Sequence, residues 1–117
     1  MATSKRLEIS EGGDTAVVRF LDRHIADILD IEKVGEELYS LVEKGKHRRL
    51  ILDFSDVHYL SSALIGKLIS LNSRVRARKG SVKLCSIRPD VYEVFRTCEL
   101  DRIFFINKDV ADASPSF

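Results

Sequence analysis

Cysteine is scarce in this sequence. Its two cysteines, Cys85 and Cys98, lie in apolar stretches and form no CxxC pair, which excludes a secreted disulfide framework and a vicinal thiol motif. Both are expected to be reduced and buried as small apolar filler. Proline is equally rare, with two residues beside six glycines, and neither an internal repeat nor a low-complexity segment appears. No apolar run approaches the roughly 20 residues of a membrane helix. Met1-Ala2-Thr3-Ser4-Lys5-Arg6 is not followed by the apolar stretch of a signal peptide, so a soluble, cytoplasmic protein with no membrane partner is expected. An excess of one charge is also missing. Nineteen Lys and Arg stand against 18 Asp and Glu, a net charge of +1, so the chain is neither a polycation nor an acidic shield and any electrostatic specificity is local. Its 117 residues and 13.3 kDa suit one domain over residues 1–117, burying roughly 65% of the surface its unfolded form exposes.

The usual enzyme signatures are absent too. His24, His47 and His58 have no metal-ligand spacing, and no nucleophile elbow, phosphate-binding glycine loop or dinucleotide fingerprint occurs. Asp53, Asp56 and Ser62 lack a histidine placed to activate the serine. The expectation is no metal, no cofactor and no catalytic activity.

What is present is an alternation of strand and helix patterns. Leu7 and Ile9 alternate with charged residues, Glu11-Gly12-Gly13-Asp14 supplies turn chemistry, and Ala16-Val17-Val18-Arg19-Phe20-Leu21 completes a hairpin. Ile31, Val34, Leu38, Leu41 and Val42 recur at helical spacing, with Gly45 at the C-cap position. Leu50-Ile51-Leu52-Asp53-Phe54 reads as a central strand, and Leu64, Ile65, Leu68, Ile69, Leu71 and Val75 as a helix with Ser61 or Ser62 near its N-cap. Ser81 to Ile87 is a further strand, Pro89 opens a helix through Cys98, and Ile103 to Ile106 is a final buried strand before a short helical tail. The fold class is α/β: a mixed sheet of about five strands, an opening antiparallel hairpin followed by largely parallel pairing, covered by about four helices.

The basic stretch Arg74-Val75-Arg76-Ala77-Arg78-Lys79 raises nucleic-acid binding, yet no aromatic residue is interleaved to stack a base, and cations suit a helix C-terminus. No nucleic-acid partner is expected. A basic docking edge for a protein is the better functional reading of these residues.

The most informative segment runs from Leu52 to Leu68, a strand, a short loop ending in Ser61-Ser62, and a helix. One serine is accounted for as an N-cap, worth about 0.5–2 kcal/mol. The second is surplus. As a phosphate acceptor it would gain about −1.5 to −2 charges where the helix dipole tolerates an anion. Asp53-Phe54-Ser55-Asp56-Val57, then Leu60, then Ser61-Ser62-Ala63-Leu64-Ile65-Gly66 resembles the signature of the STAS domain family, in particular its free-standing bacterial anti-sigma factor antagonists. The likeness extends through Gly80 to Pro89 and Glu99 to Phe104, nearly the whole chain.

That resemblance implies a protein that binds an anti-sigma factor, which is also a serine kinase of the histidine-kinase-like ATPase type, and so regulates sigma-factor-dependent transcription. It further implies inactivation by phosphorylation at Ser62, with Ser61 the second candidate, and resetting by a metal-dependent serine phosphatase. Asp56, His58, Tyr59, Ser61, Ser62, Leu64 and Ile65 are the expected partner-contacting residues, on a monomer or weak dimer. Ser61 stands where the family has aspartate, Ala63 where it has serine and Leu64 where it has glycine; Leu64 is expected to add apolar bulk to the contact surface. Two other readings use the same residues: a scaffold or sensor subunit of a larger signalling assembly in which the serines only cap the helix, and a carrier of a small anionic ligand at the helix N-terminus.

Overall fold

The computed structural model describes residues 2–3, 6–44 and 47–113; Gly45 and residues 114–117 of the expected helical tail lie outside them. A two-residue edge strand, β1 (Ala2–Thr3), precedes the hairpin of β2 (Leu7–Gly12) and β3 (Thr15–Phe20). The pair Gly12 and Thr15 closes a two-residue turn whose first residue, Gly13, has φ +62°. A positive φ there matches the twist of the flanking strands and favours glycine. A short strand, β4 (His24–Ile25), leads into α1 (Ile28–Lys44). Next come β5 (Arg49–Asp53), the short β6 (Tyr59–Leu60) and α2 (Ser62–Ala77). The chain ends with β7 (Ser81–Cys85), α3 (Pro89–Thr97), a 3-10 turn over Leu100–Arg102, β8 (Phe105–Asn107) and a single helical turn, α4 (Val110–Ala113).

The main sheet has the order β1-β2-β3-β5-β7-β8, antiparallel across β1, β2 and β3 and parallel from β3 to β8. This is the mixed sheet expected from the sequence, with the short β1 added at its edge. Period-2 alternation decides the faces. Leu7, Ala16, Val18, Phe20, Leu50, Leu52, Val82 and Leu84 point to one side, where the apolar stripes of α1 and α2 bury them. On the other side Ile51 and Cys85 are covered by α4 through Ala113 and Val110.

Two expectations are corrected. The final strand starts at Phe105, not Ile103, because the amides of Ile103 and Phe104 both donate to the Leu100 carbonyl, at 3.0 and 2.9 Å, and are spent on the 3-10 turn; at the sheet's edge it is also not buried as expected, with Phe105 exposed. Cys98 is exposed at the C-cap of α3, while Cys85 is buried as expected. Burial pushes the Cys85 thiol up to about 11.

Candidate functional site

The loop between β5 and α2 is held by its own apolar residues. Phe54, Val57 and Leu60 are buried, and the Phe54 ring lies 4.8 Å from that of Phe20 and edge-on to Phe95 at 5.6 Å. Asp53 Oδ1 accepts a hydrogen bond from the Ser55 amide at 2.9 Å, the local turn that aspartate makes two residues ahead of its donor. Asp56 pairs with Arg19, whose guanidinium also bonds Glu8 at 3.2 Å. These contacts raise the Arg19 pKa, with the Glu8 hydrogen bond as the largest cause. The loop is therefore clamped to the sheet from below.

Its far side is tied to the segment before α1. The amides of His58 and Tyr59 donate to the Arg23 carbonyl at 2.8 and 3.0 Å, and that of Ser61 to the Ile25 carbonyl at 3.0 Å. β4 and β6 form a parallel two-stranded pair, His24 opposite Tyr59 and Ile25 opposite Leu60, and the His24 and Tyr59 rings lie 6.4 Å apart. This pair sets the N-termini of α1 and α2 side by side.

The two helix starts differ. Asp27 Oδ1 accepts from the amides of Leu29 and Asp30 at 2.9 and 3.3 Å and so caps α1. Ser61 occupies the N-cap of α2 with extended backbone, φ −89° and ψ 164°, but its side chain makes no capping hydrogen bond. Its Oγ is buried without a partner among the described residues. The first turn of α2 also contains no acidic residue, so the positive end of its dipole meets no carboxylate from its own sequence. Ser62, the first helical residue, is exposed.

Of the expected contact residues, Tyr59 is exposed, and Asp56, His58 and Ser61 are partly so. Leu64 and Ile65 are a correction. At 0% and 6% exposure they belong to the core, because positions three and four beyond the N-cap turn back toward the sheet. Leu64 therefore adds no bulk to the surface. Two exposed apolar residues missed in the sequence lie in the first turn of α1, just after the β4 strand that pairs with β6: Ile28 and Leu29 are 71% and 72% exposed, and Tyr59 of β6 is 52% exposed. Leu29 lies off the Ile31-Val34-Leu38-Val42 stripe, which is the signal that marks it as apolar without a core role. Among the described residues, no three His, Cys, Asp or Glu side chains converge to hold a metal, and no helix is long and apolar enough to cross a membrane.

Fold and site together define a small α/β protein built on a clamped strand–loop–helix platform with a serine at its crown. The profile of the STAS domain family matches residues 11–113, and the chain belongs to that family. It is 29% identical over 93 residues, 80% of this chain and 79% of the other, to BtrV of Bordetella bronchiseptica, which carries the provisional name of anti-sigma factor antagonist. An anti-sigma factor antagonist domain protein of Planctomyces limnophilus superposes with a TM-score of 0.82 at 17% identity, over 92% of this chain and 93% of that one. Unphosphorylated SpoIIAA, an anti-sigma factor antagonist, superposes at 0.75 and 17% identity over 87% and 88% of the two chains. The phosphorylated form of SpoIIAA, from Bacillus, gives 0.68 at 16% over 87% and 91%.

Proposed function

We propose that this protein is an anti-sigma factor antagonist that docks its anti-sigma factor through the crown of the β5–α2 platform and is switched off by phosphorylation at Ser62. The observation that carries the reading is the exposed Ser62 at the uncapped start of α2, with exposed Tyr59 three residues before it. The similarity to BtrV and to SpoIIAA, which has been solved with and without its phosphate, supports the same reading. The partner is a serine kinase of the histidine-kinase-like ATPase type, and a metal-dependent serine phosphatase restores the free hydroxyl.

The physical logic is a change of surface with no change of fold. Free helix-start amides and the dipole accept a dianion at residue 62 without disrupting α2. The same dianion in a contact surface of apolar side chains and neutral hydroxyls must be desolvated against a partner shaped for neither its charge nor its volume. The chain acts as a bound partner in this cycle and the chemistry belongs to the kinase and phosphatase. Ser62→Ala is expected to bind the kinase like the wild type, and Ser62→Asp at least about tenfold more weakly, equivalent to about 1.4 kcal/mol. Titration calorimetry against the kinase, with phosphate mapped by mass spectrometry, tests this. Equal binding by both variants, or phosphate found only at another residue, overturns it.

A further inference from the structure

At the opposite end of the sheet from Ser62, three segments meet around a cavity of about 410 Å³ lined by Asp14, Arg48, Arg49, Lys79, Gly80 and Ser81. We propose that this cavity is a second binding site, for a small phosphorylated ligand recognised through its phosphate groups. It is independent of the Ser62 reading.

The walls are joined by main-chain bonds. The Asp14 carbonyl, at the hairpin tip, accepts from the amides of Arg48 and Arg49 at 3.0 and 3.1 Å, and the Arg48 carbonyl accepts from the Ser81 amide at 2.8 Å. Gly80 permits this closure, since a Cβ there would lie 2.2 Å from the Arg48 carbonyl oxygen. The approach of the chain after α2 to the start of β5 is thus fixed by backbone, and the side chains that project from it start from a rigid frame.

What the frame presents is positive. Among the described lining residues, Arg48, Arg49 and Lys79 stand with one carboxylate, Asp14, whose Oδ2 is 4.0 Å from Arg49 Nε, and Arg49 is held by a further contact as well. Arg48 and Lys79 have no ion-pair partner among the described residues. Lys79 also holds a left-handed backbone conformation, φ 61°, which ordinarily favours glycine. The Arg48 guanidinium, the Lys79 ammonium and the Ser81 hydroxyl offer donors, the chemistry that suits phosphate oxygens. No aromatic side chain lines the cavity, so a nucleobase gains no stacking there. This accounts for part of the basic run at the end of α2: Lys79 serves the cavity, while Arg74 pairs with Glu43 and Arg78 donates to the Val42 carbonyl at 2.8 Å.

The test is calorimetric titration of the full chain with inorganic pyrophosphate, followed by amide NMR shifts. One saturable site is expected, with shifts at Asp14, Arg48, Arg49, Gly80 and Ser81 and none at Ser62. Arg48→Gln combined with Lys79→Gln is expected to weaken binding at least tenfold, whereas Lys33→Gln, which removes a cation from α1, changes it less than twofold. Lys79→Gly guards against misfolding as an explanation: it relieves the left-handed strain, so thermal stability is expected to hold or rise while affinity falls. Absence of saturable binding, shifts centred on Ser62, or an equal loss in Lys33→Gln each overturns the proposal.

Discussion

Ser61 and Leu64 show how little a residue's type reveals of its role until its surroundings are known. Ser61 sits at an N-cap and looks like a capping serine, yet its buried Oγ bonds nothing among the described residues. Removing it therefore leaves no backbone donor newly unpaired, and Ser61→Ala is expected to change stability by less than about 0.5 kcal/mol, where a true capping serine costs about 0.5–2 kcal/mol. Leu64, by contrast, is wholly enclosed. Leu64→Ala is expected to cost about 2–5 kcal/mol by leaving a cavity, with affinity for the proposed partner unchanged in the folded fraction. Urea unfolding of both variants checks the pair; a costly Ser61→Ala or a harmless Leu64→Ala reverses these assignments. The residues themselves show two serines at the start of α2 and leave open which one caps it; the family resemblance selects Ser62, and the structure has Ser61 at the N-cap and Ser62 exposed. The resemblance implies a contiguous contact surface that includes Leu64 and Ile65, whereas the helix turns its third and fourth positions inward, as their place in its apolar stripe requires.

Among elements, the returns from α2 and into β5 govern how the sheet is closed at its basic end. Gly80 is the one position there where the backbone of a neighbouring segment leaves no room for a side chain. Gly80→Ala is expected to destabilise by about 1–3 kcal/mol, because the added methyl forces the strand β7 away from Arg48 and strains the Ser81–Arg48 hydrogen bond. Thermal unfolding, with amide exchange at Ser81 as the local probe, measures it; an unchanged midpoint and unchanged exchange refute the close approach. α1, α2, α3 and the hairpin were all readable in advance, since each carries its own period and punctuation: Gly13 in the hairpin turn and Pro89 at the first residue of α3 fall where expected. The pair β4–β6 was not. Two-residue strands have no periodicity to read, and their pairing joins residues 24–25 to 59–60 across all of α1 and β5.

For the whole molecule, titration of the buried thiol ties stability to pH. Cys85 ionises at about 11 when folded because burial disfavours the thiolate, against about 9 in the unfolded chain. Between these values the folded state binds the extra proton, so the stability it contributes is complete below pH 9 and is lost as pH rises toward 11. Denaturation at pH 8, 9, 10 and 11 is expected to show this fall, and Cys85→Ala, though less stable throughout, to show a shallower one; equal slopes would remove Cys85 as the cause. What the sequence determined by itself is what short-range chemistry carries: the hairpin, the order of the longer strands and helices, and a pair of serines at the start of α2. The tertiary structure alone decided which distant segments meet. It brought His24 and Ile25 against Tyr59 and Leu60 by pairing β4 with β6, and gathered Asp14, Arg48 and Lys79 around one cavity by closing the sheet's other end. Local pattern follows from the pitch of a helix and the pleat of a strand, but such meetings depend on chain closure over tens of residues, for which no neighbouring residue carries the signal.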